Sequence, residues 1–300
     1  MNRRYFLKGL VATAFIAKTG KSLASLAGNN HSIINLWNGI PPGGGGPKGK
    51  IKVSSQGALS HISIPTLTVL TAMRPNGRSV LIAAGGGYKR IEMEKEAYPA
   101  ANWLTSRGYT AYILSYRLPD ENWADGNLVS LQDAQRALRI IRKFDKYVSV
   151  LGFSAGGHLL GLAATRQDFA SYSPRDSLDE SPAYADRAAL IYPIITLEKP
   201  YTHTSTHKLL VGVDAPDDEN KAWSVENYIT PSSPPFFLVQ AEDDPISAPE
   251  NTLIMYSGCQ RKRVPVEMYR YTSGGHGFGM GRPGTPTTDW PEHYEHWLHK

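Results

Sequence analysis

Three hundred residues with 41% hydrophobic content suffice for one large domain with a full core. The formal net charge is +5, but residues 1–27 hold Arg3, Arg4, Lys8, Lys18 and Lys21 and no acid, and the other 27 basic residues balance 27 acidic ones. A balanced body excludes a nucleic-acid surface as the origin of the charge, so no nucleic-acid partner is expected.

The chain opens on Asn2–Arg3–Arg4–Tyr5–Phe6–Leu7–Lys8, which resembles a twin-arginine export motif. An apolar run Gly9–Ala17 follows, and Ser25–Leu26–Ala27 offers the small residues a signal peptidase reads before Gly28. These features predict a twin-arginine-type signal peptide over 1–27 and an address in the periplasm or outside the cell. The apolar run is far shorter than the roughly twenty residues a membrane span requires, so no stable insertion is expected after its removal. Cys259 is the only cysteine, which rules out an intramolecular disulfide. It reads as incidental.

Residues 28–50, with the cluster Pro41–Pro42–Gly43–Gly44–Gly45–Gly46–Pro47, read as a mobile lead segment before a single domain over 51–300. Leu59–Ile64 and Leu67–Ala72 alternate like antiparallel strands, and Ser79–Ala84 reads as a short buried strand. Glu92–Arg107 is mostly helical, with Pro99 kinking or restarting it and Gly108 as its stop. Thr110–Tyr116 is a strand. Leu128–Phe144 is a helix with Leu131, Ala134, Leu138 and Ile141 on one face and Arg136, Arg139 and Arg142 leaving it.

The β-branched run from Val148 ends at Gly152–Phe153–Ser154–Ala155–Gly156 and opens into the helical Leu159–Ala164. Strand, Gly-x-Ser-x-Gly turn and helix in that order make a nucleophile elbow, in which Gly152 and Gly156 stand where a Cβ would clash. Ala188–Tyr192 and Pro235–Gln240 are buried strands, Pro249–Ser257 a helix and Val264–Tyr271 a last strand. The succession predicts an α/β fold, a mostly parallel sheet with helices on both faces. Residues 196–234 break the alternation and read as loops and short helices over the site, a lid or specificity insert.

A serine hydroxyl needs a base within hydrogen-bond reach, oriented in turn by a carboxylate. In this architecture the acid and the histidine follow late strands. Val264–Tyr271 runs into Gly274–Gly275–His276–Gly277, which favours His276 over His158, His203 and His207 as the base. Phe236–Gln240 runs into Glu242–Asp243–Asp244, where consecutive side chains diverge. One of these carboxylates should therefore meet the imidazole, and another should hold the loop through backbone amides. Gly85–Gly86–Gly87 after an early strand, with the amide of Ala155, suits an oxyanion site. Tyr88, which closes that run, reads as a substrate-binding residue. His293, His296 and His299 are spaced by three but have no accompanying cysteine or carboxylate cage, so no metal is expected.

Together Ala84–Tyr88, Tyr116–Arg117–Leu118–Pro119, Asp133–Ala137, Gly152–Leu159, Asp243–Asp244–Pro245 and Gly275–Phe278 resemble the α/β-hydrolase superfamily over residues 80–280. The closer similarity is to its esterase/lipase branch that includes acetyl-xylan esterase-like carbohydrate esterases. The resemblance implies a sheet of about eight strands and no cofactor. It implies Ser154 as nucleophile, Asp244 as acid, His276 as base, and Gly86, Gly87 and Ala155 as oxyanion donors. Ala84 departs from the histidine or proline common before such glycines, which leaves the share of Gly85 open. The implied activity is hydrolysis of short-chain acyl esters on small molecules or polysaccharides. A prolyl-oligopeptidase-type peptidase and an inactive carbohydrate-binding homologue are the alternatives. Nothing in the sequence fixes the oligomeric state.

Overall fold

The computed structural model describes residues 31–300. The expected signal peptide over 1–27 lies outside the described residues. In chain order the strands are β1 (His31–Asn35), β2 (Lys52–Val53), β3 (Leu59–Ser60), β4 (Thr66–Leu70), β5 (Arg78–Ala83), β6 (Thr110–Ser115), β7 (Tyr147–Phe153), β8 (Arg187–Ile191), β9 (Phe236–Ala241) and β10 (Val266–Tyr271). The helices are α1 (Tyr98–Thr105), α2 (Leu128–Arg142), α3 (Ala155–Thr165), α4 (Ser205–Leu210), α5 (Asp217–Ala222), α6 (Glu250–Lys262) and α7 (Trp290–Leu298).

Eight strands pair in the order β1-β4-β6-β5-β7-β8-β9-β10, while β2 and β3 form a separate ribbon. β1 and β4 pair antiparallel with their neighbours, and β5 to β10 run parallel. Val80, Leu81, Ile82, Val150, Leu151, Leu190 and Leu238 are fully buried, as central strands covered on both faces require. The chain passes from β5 outward to β6 and then back across to β7. Strand order therefore reverses at the β5–β7 pair, where open α/β sheets bind ligands beyond the carboxyl ends of the strands. Ala83 pairs with Gly152 in that register, so the glycine run after β5 and the elbow after β7 emerge side by side.

Three readings of the sequence are corrected. Residues 31–50 are built into the domain rather than forming a mobile lead: β1 pairs with β4, and Leu36 and Trp37 are buried. Trp37 Nε1 donates to Asp133 Oδ1 at 2.8 Å, and the carbonyls of Gly43 and Gly44 accept from Asp125 and Ala124 at 2.9 and 3.0 Å. Leu59–Ile64 supplies only the short β3, because the Glu121 carboxylate takes the amides of His61 and Ile62, the latter at 2.8 Å. Arg136 does not leave the apolar face of α2. It is buried, with Asp176 and Asp179 at 2.6 and 2.8 Å and the Leu36 carbonyl at 2.9 Å satisfying its guanidinium.

Beside it, Arg117 and Asp133 form an ion pair at 2.8 Å with both side chains fully buried. Arg117 also reaches the Val129 carbonyl and Gln132 Oε1, and the main-chain amide of Arg117 donates to Asp133 Oδ2. Such satisfaction offsets the cost of removing both charges from water. The run read as mostly helical from Glu92, with a kink or restart at Pro99, is a π-helical turn, Met93–Ala97, followed by α1, with Pro99 in its first turn. Pro99 restarts the helix, since proline is tolerated where the amide has no intrahelical partner.

Candidate active site

Ser154 stands alone between β7 and α3 at φ 51° and ψ −118°, a conformation that L-residues rarely adopt. Crowding at the turn dictates its neighbours. A Cβ on Gly152 would lie 2.5 Å from the Gly156 carbonyl oxygen, and one on Gly156 would lie 2.1 Å from that of Ala83. The main chain of Ser154 is pinned from both sides: its amide donates to the Ile191 carbonyl at 3.0 Å, and its carbonyl accepts from His158 at 3.0 Å.

The ends of β9 and β10 bring the other two side chains in. Ser154 Oγ lies 2.9 Å from His276 Nε2, and His276 Nδ1 lies 2.8 Å from Asp244 Oδ2. Asp244 is held by the amides of Ile246 and Ser247, which donate to its Oδ1 at 2.8 and 2.9 Å. Gln240 Nε2 donates to its Oδ2 at 3.2 Å. The three adjacent acids of this turn take three directions. Asp243 accepts the Gly275 amide at 2.7 Å, which fastens the histidine loop and holds its carboxyl below the usual range. Glu242 pairs with Arg270.

Ser154 and His276 line a cavity of about 220 Å³ with Gly86, Gly87, Ile194 and Ile246, while Thr204–Thr206 of the 196–234 segment close one side. Lys89, Arg90 and Lys95 edge it, with Arg90 paired to Glu92 at 2.5 Å. Gly85 is no free donor, because its amide is 2.6 Å from Glu96 Oε2. Among the described residues, the amides of Gly86, Gly87 and Ala155 donate to no protein acceptor. Ala155 opens α3, where the first amides of a helix are left unpaired and carry its positive end.

Tyr88 is a correction. It is only 1% exposed, and its hydroxyl lies 3.0 Å from His158 Nδ1, away from the cavity. At φ +58° the chain turns the ring into the core, where it packs on Tyr116 and His158. His158 Nε2 donates to the Trp223 carbonyl at 2.8 Å, so Nδ1 accepts from Tyr88. That neutral tautomer is structural. Burial lowers its pKa from 6.5 to about 4. With the folded value below the unfolded one, the stability it contributes is whole above pH 6.5. It is lost as pH falls toward 4, up to about 3 kcal/mol. In paired unfolding titrations, His158→Gln should show a shallower loss of stability across that window; equal pH dependence would contradict it.

Two residues behind the triad went unread in the sequence: Glu96, which borders the cavity, and Tyr192, which packs on His276. Glu96 is buried and its pKa is raised by that burial; Tyr192 donates to its Oε1 at 2.9 Å. The other histidines are placed elsewhere. His203 bonds the Ile246 carbonyl at 3.2 Å, His207 bonds Asn220 at 2.8 Å, and His293 stacks on Tyr269. Cys259 is buried, which pushes its thiol up to about 12.

A serine on a strand-to-helix elbow, with histidine and carboxylate delivered by the last two parallel strands, defines an α/β-hydrolase. The BD-FAE family model matches residues 71–257, and the chain belongs to that family. It is similar to endo-1,4-beta-xylanase B of Butyrivibrio fibrisolvens, 32% identical over 66% of this chain and 32% of that protein. It is also similar to an acetylxylan esterase of Xylanibacter ruminicola, 27% identical over 69% of this chain and 42% of that protein. The chain thus spans less than half the length of these two relatives. Among solved structures, an acetyl ester-xyloside bifunctional hydrolase from Caldicellulosiruptor lactoaceticus superimposes with a TM-score of 0.73 at 28% identity, covering 89% of this chain and 95% of that one. The carboxylesterase Cest-2923 of Lactobacillus plantarum shares the fold at a TM-score of 0.66 and 22% identity, over 83% of this chain and 97% of that one.

Proposed function

We propose that this chain is an exported serine carboxylesterase that removes short acyl groups, acetate foremost, from acetylated xylan-type polysaccharides. The observation that carries the reading is the continuous path from Ser154 Oγ through His276 to Asp244, at 2.9 and 2.8 Å. In this mechanism Ser154 Oγ attacks the ester carbonyl while His276 Nε2 takes its proton. Asp244 holds the imidazole in the tautomer that accepts that proton and stabilises the resulting cation. The amides of Gly86, Gly87 and Ala155 receive the charge that develops on the carbonyl oxygen. His276 then returns the proton to the departing alcohol. Water, activated by the same imidazole, frees the acyl group from Ser154.

The acetylxylan esterase and the acetyl ester-xyloside hydrolase among the relatives support an acetylated saccharide as substrate. The cavity supports a small acyl group, because about 220 Å³ is less than the roughly 300 Å³ at which drug-sized pockets begin. Export rests on residues 1–27. Among the described residues no helix is long and apolar enough to cross a membrane.

Acetate release from acetylated xylan, measured beside a chain-length series of p-nitrophenyl esters, tests the reading. Acetate should be released, and rates should fall from acetyl to octanoyl. Faster turnover of octanoate, or of a matched peptide anilide, would overturn it.

A further inference from the structure

Two glycine-rich loops must hold still for this site to work. The first is Gly85–Gly87, the most flexible backbone a chain can offer. The second carries His276, with Gly275, Gly277, Gly279 and Gly281 at φ of 63°, 66°, 54° and 112°. A tie through one buried carboxylate joins them. Glu96, 3% exposed, accepts the Gly85 amide on Oε2 at 2.6 Å and the Tyr192 hydroxyl on Oε1 at 2.9 Å. The Tyr192 hydroxyl in turn accepts the Gly279 amide at 3.0 Å. The Tyr192 ring meets His276 and Phe278 edge-on, with centroids 5.0 and 4.4 Å away.

Both anchors are themselves fixed by unusual backbone. Glu96 sits in the π-helical turn Met93–Ala97, and Tyr192 sits at φ +39° immediately after β8. The anchored amide is close to the nucleophile, since a Cβ built on Gly85 would lie 2.8 Å from Ser154 Cβ. We propose that Glu96 and Tyr192 are positioning residues that lock the oxyanion loop to the histidine loop, so that donors and base are held in register before substrate arrives. This rests on the serine esterase reading above. Glu96 borders the cavity, but the role proposed for both residues is to hold these loops rather than to act on the reacting atoms. Their effect is on preorganisation, which stabilises charge present only in the transition state.

The test is steady-state hydrolysis of p-nitrophenyl acetate by Glu96→Ala, Glu96→Gln and Tyr192→Phe, with Ser154→Ala in parallel and thermal unfolding as a check of folding. Glu96→Ala releases the Gly85 loop and cuts its link to the histidine loop, and should lower kcat about 10²-fold, the order seen for displacements near 1 Å, with KM unchanged. Glu96→Gln keeps a carbonyl for the Gly85 amide but turns a donor toward the Tyr192 oxygen, which already accepts from Gly279, so it should recover only part of that kcat. Tyr192→Phe releases only the histidine loop and should lower kcat roughly tenfold, again at constant KM. Inhibition by a short alkylboronic acid, which mimics the tetrahedral species, should weaken in step with kcat.

If Glu96→Ala does not fold, Tyr192→Phe decides. Wild-type kcat in a folded Tyr192→Phe overturns the lock, as does a rise in KM alone for any of these variants. Loss of turnover in Ser154→Ala with full activity in the Glu96 and Tyr192 variants overturns the lock and leaves the esterase reading standing. Undiminished turnover in Ser154→Ala overturns both.

Discussion

Replacing Asp244 by asparagine is expected to lower kcat by about 10⁴ while leaving the fold intact. The reason lies in the hydrogen bonds around the carboxylate. Its Oδ1 accepts two main-chain amides, from Ile246 and Ser247, so an asparagine must keep its carbonyl oxygen there. The NH2 group is then forced toward His276 Nδ1, where Oδ2 now stands at 2.8 Å. A donor at that place obliges Nδ1 to accept and moves the ring proton to Nε2, which faces Ser154 Oγ at 2.9 Å. An imidazole protonated on that side cannot take the serine proton. Gln240 Nε2 would also meet a donor instead of an acceptor, a smaller conflict at 3.2 Å. Steady-state kinetics on a short ester, with thermal unfolding as a control, check the expectation. A loss of less than tenfold in a folded protein would mean that Asp244 does not set the tautomer.

Local pattern made the centre of this fold readable. β5 and β7 are short apolar runs ending in glycine, and their neighbours in the sheet follow from the succession of strands and helices. Gly152 and Gly156 could be assigned a steric role because the elbow leaves no room at either position, as the contacts at 2.5 and 2.1 Å bear out. β1 escaped notice for a physical reason. His31–Asn35 is a half-exposed edge strand with weak alternation, and Leu36 and Trp37 are secured by partners on α2 about a hundred residues away. Arg136 read as a surface residue because its neutralising carboxylates, Asp176 and Asp179, lie outside any helical spacing.

The site shows the same division. Serine, histidine and aspartate each follow a strand end, so chain order and turn chemistry bring them into view. Tyr88 looked like a substrate contact from its place beside the glycines. Its backbone instead turns the ring inward to His158, a bond that spans 70 residues. Glu96 and Tyr192 are 96 residues apart, and only the sheet, by setting the end of β8 near the turn after β5, makes them a pair.

The largest effect belongs to Ser154. Removing its hydroxyl leaves His276, Asp244 and the unpaired amides in place but takes away the atom proposed to form the acyl-enzyme. Only water activated by the imidazole could then attack, from outside the geometry in which the hydroxyl is held 2.9 Å from its base. Loss of the nucleophile in such a triad costs about 10⁶ in kcat. The cavity wall should survive the change, since alanine fits where serine stood. The decisive measurement is therefore the hydrolysis of p-nitrophenyl acetate by purified Ser154→Ala beside the wild-type chain, both shown to unfold at the same temperature. Turnover reduced by about 10⁶ is the expected result. A folded Ser154→Ala chain that retains most of the wild-type rate would contradict nucleophilic catalysis at this elbow.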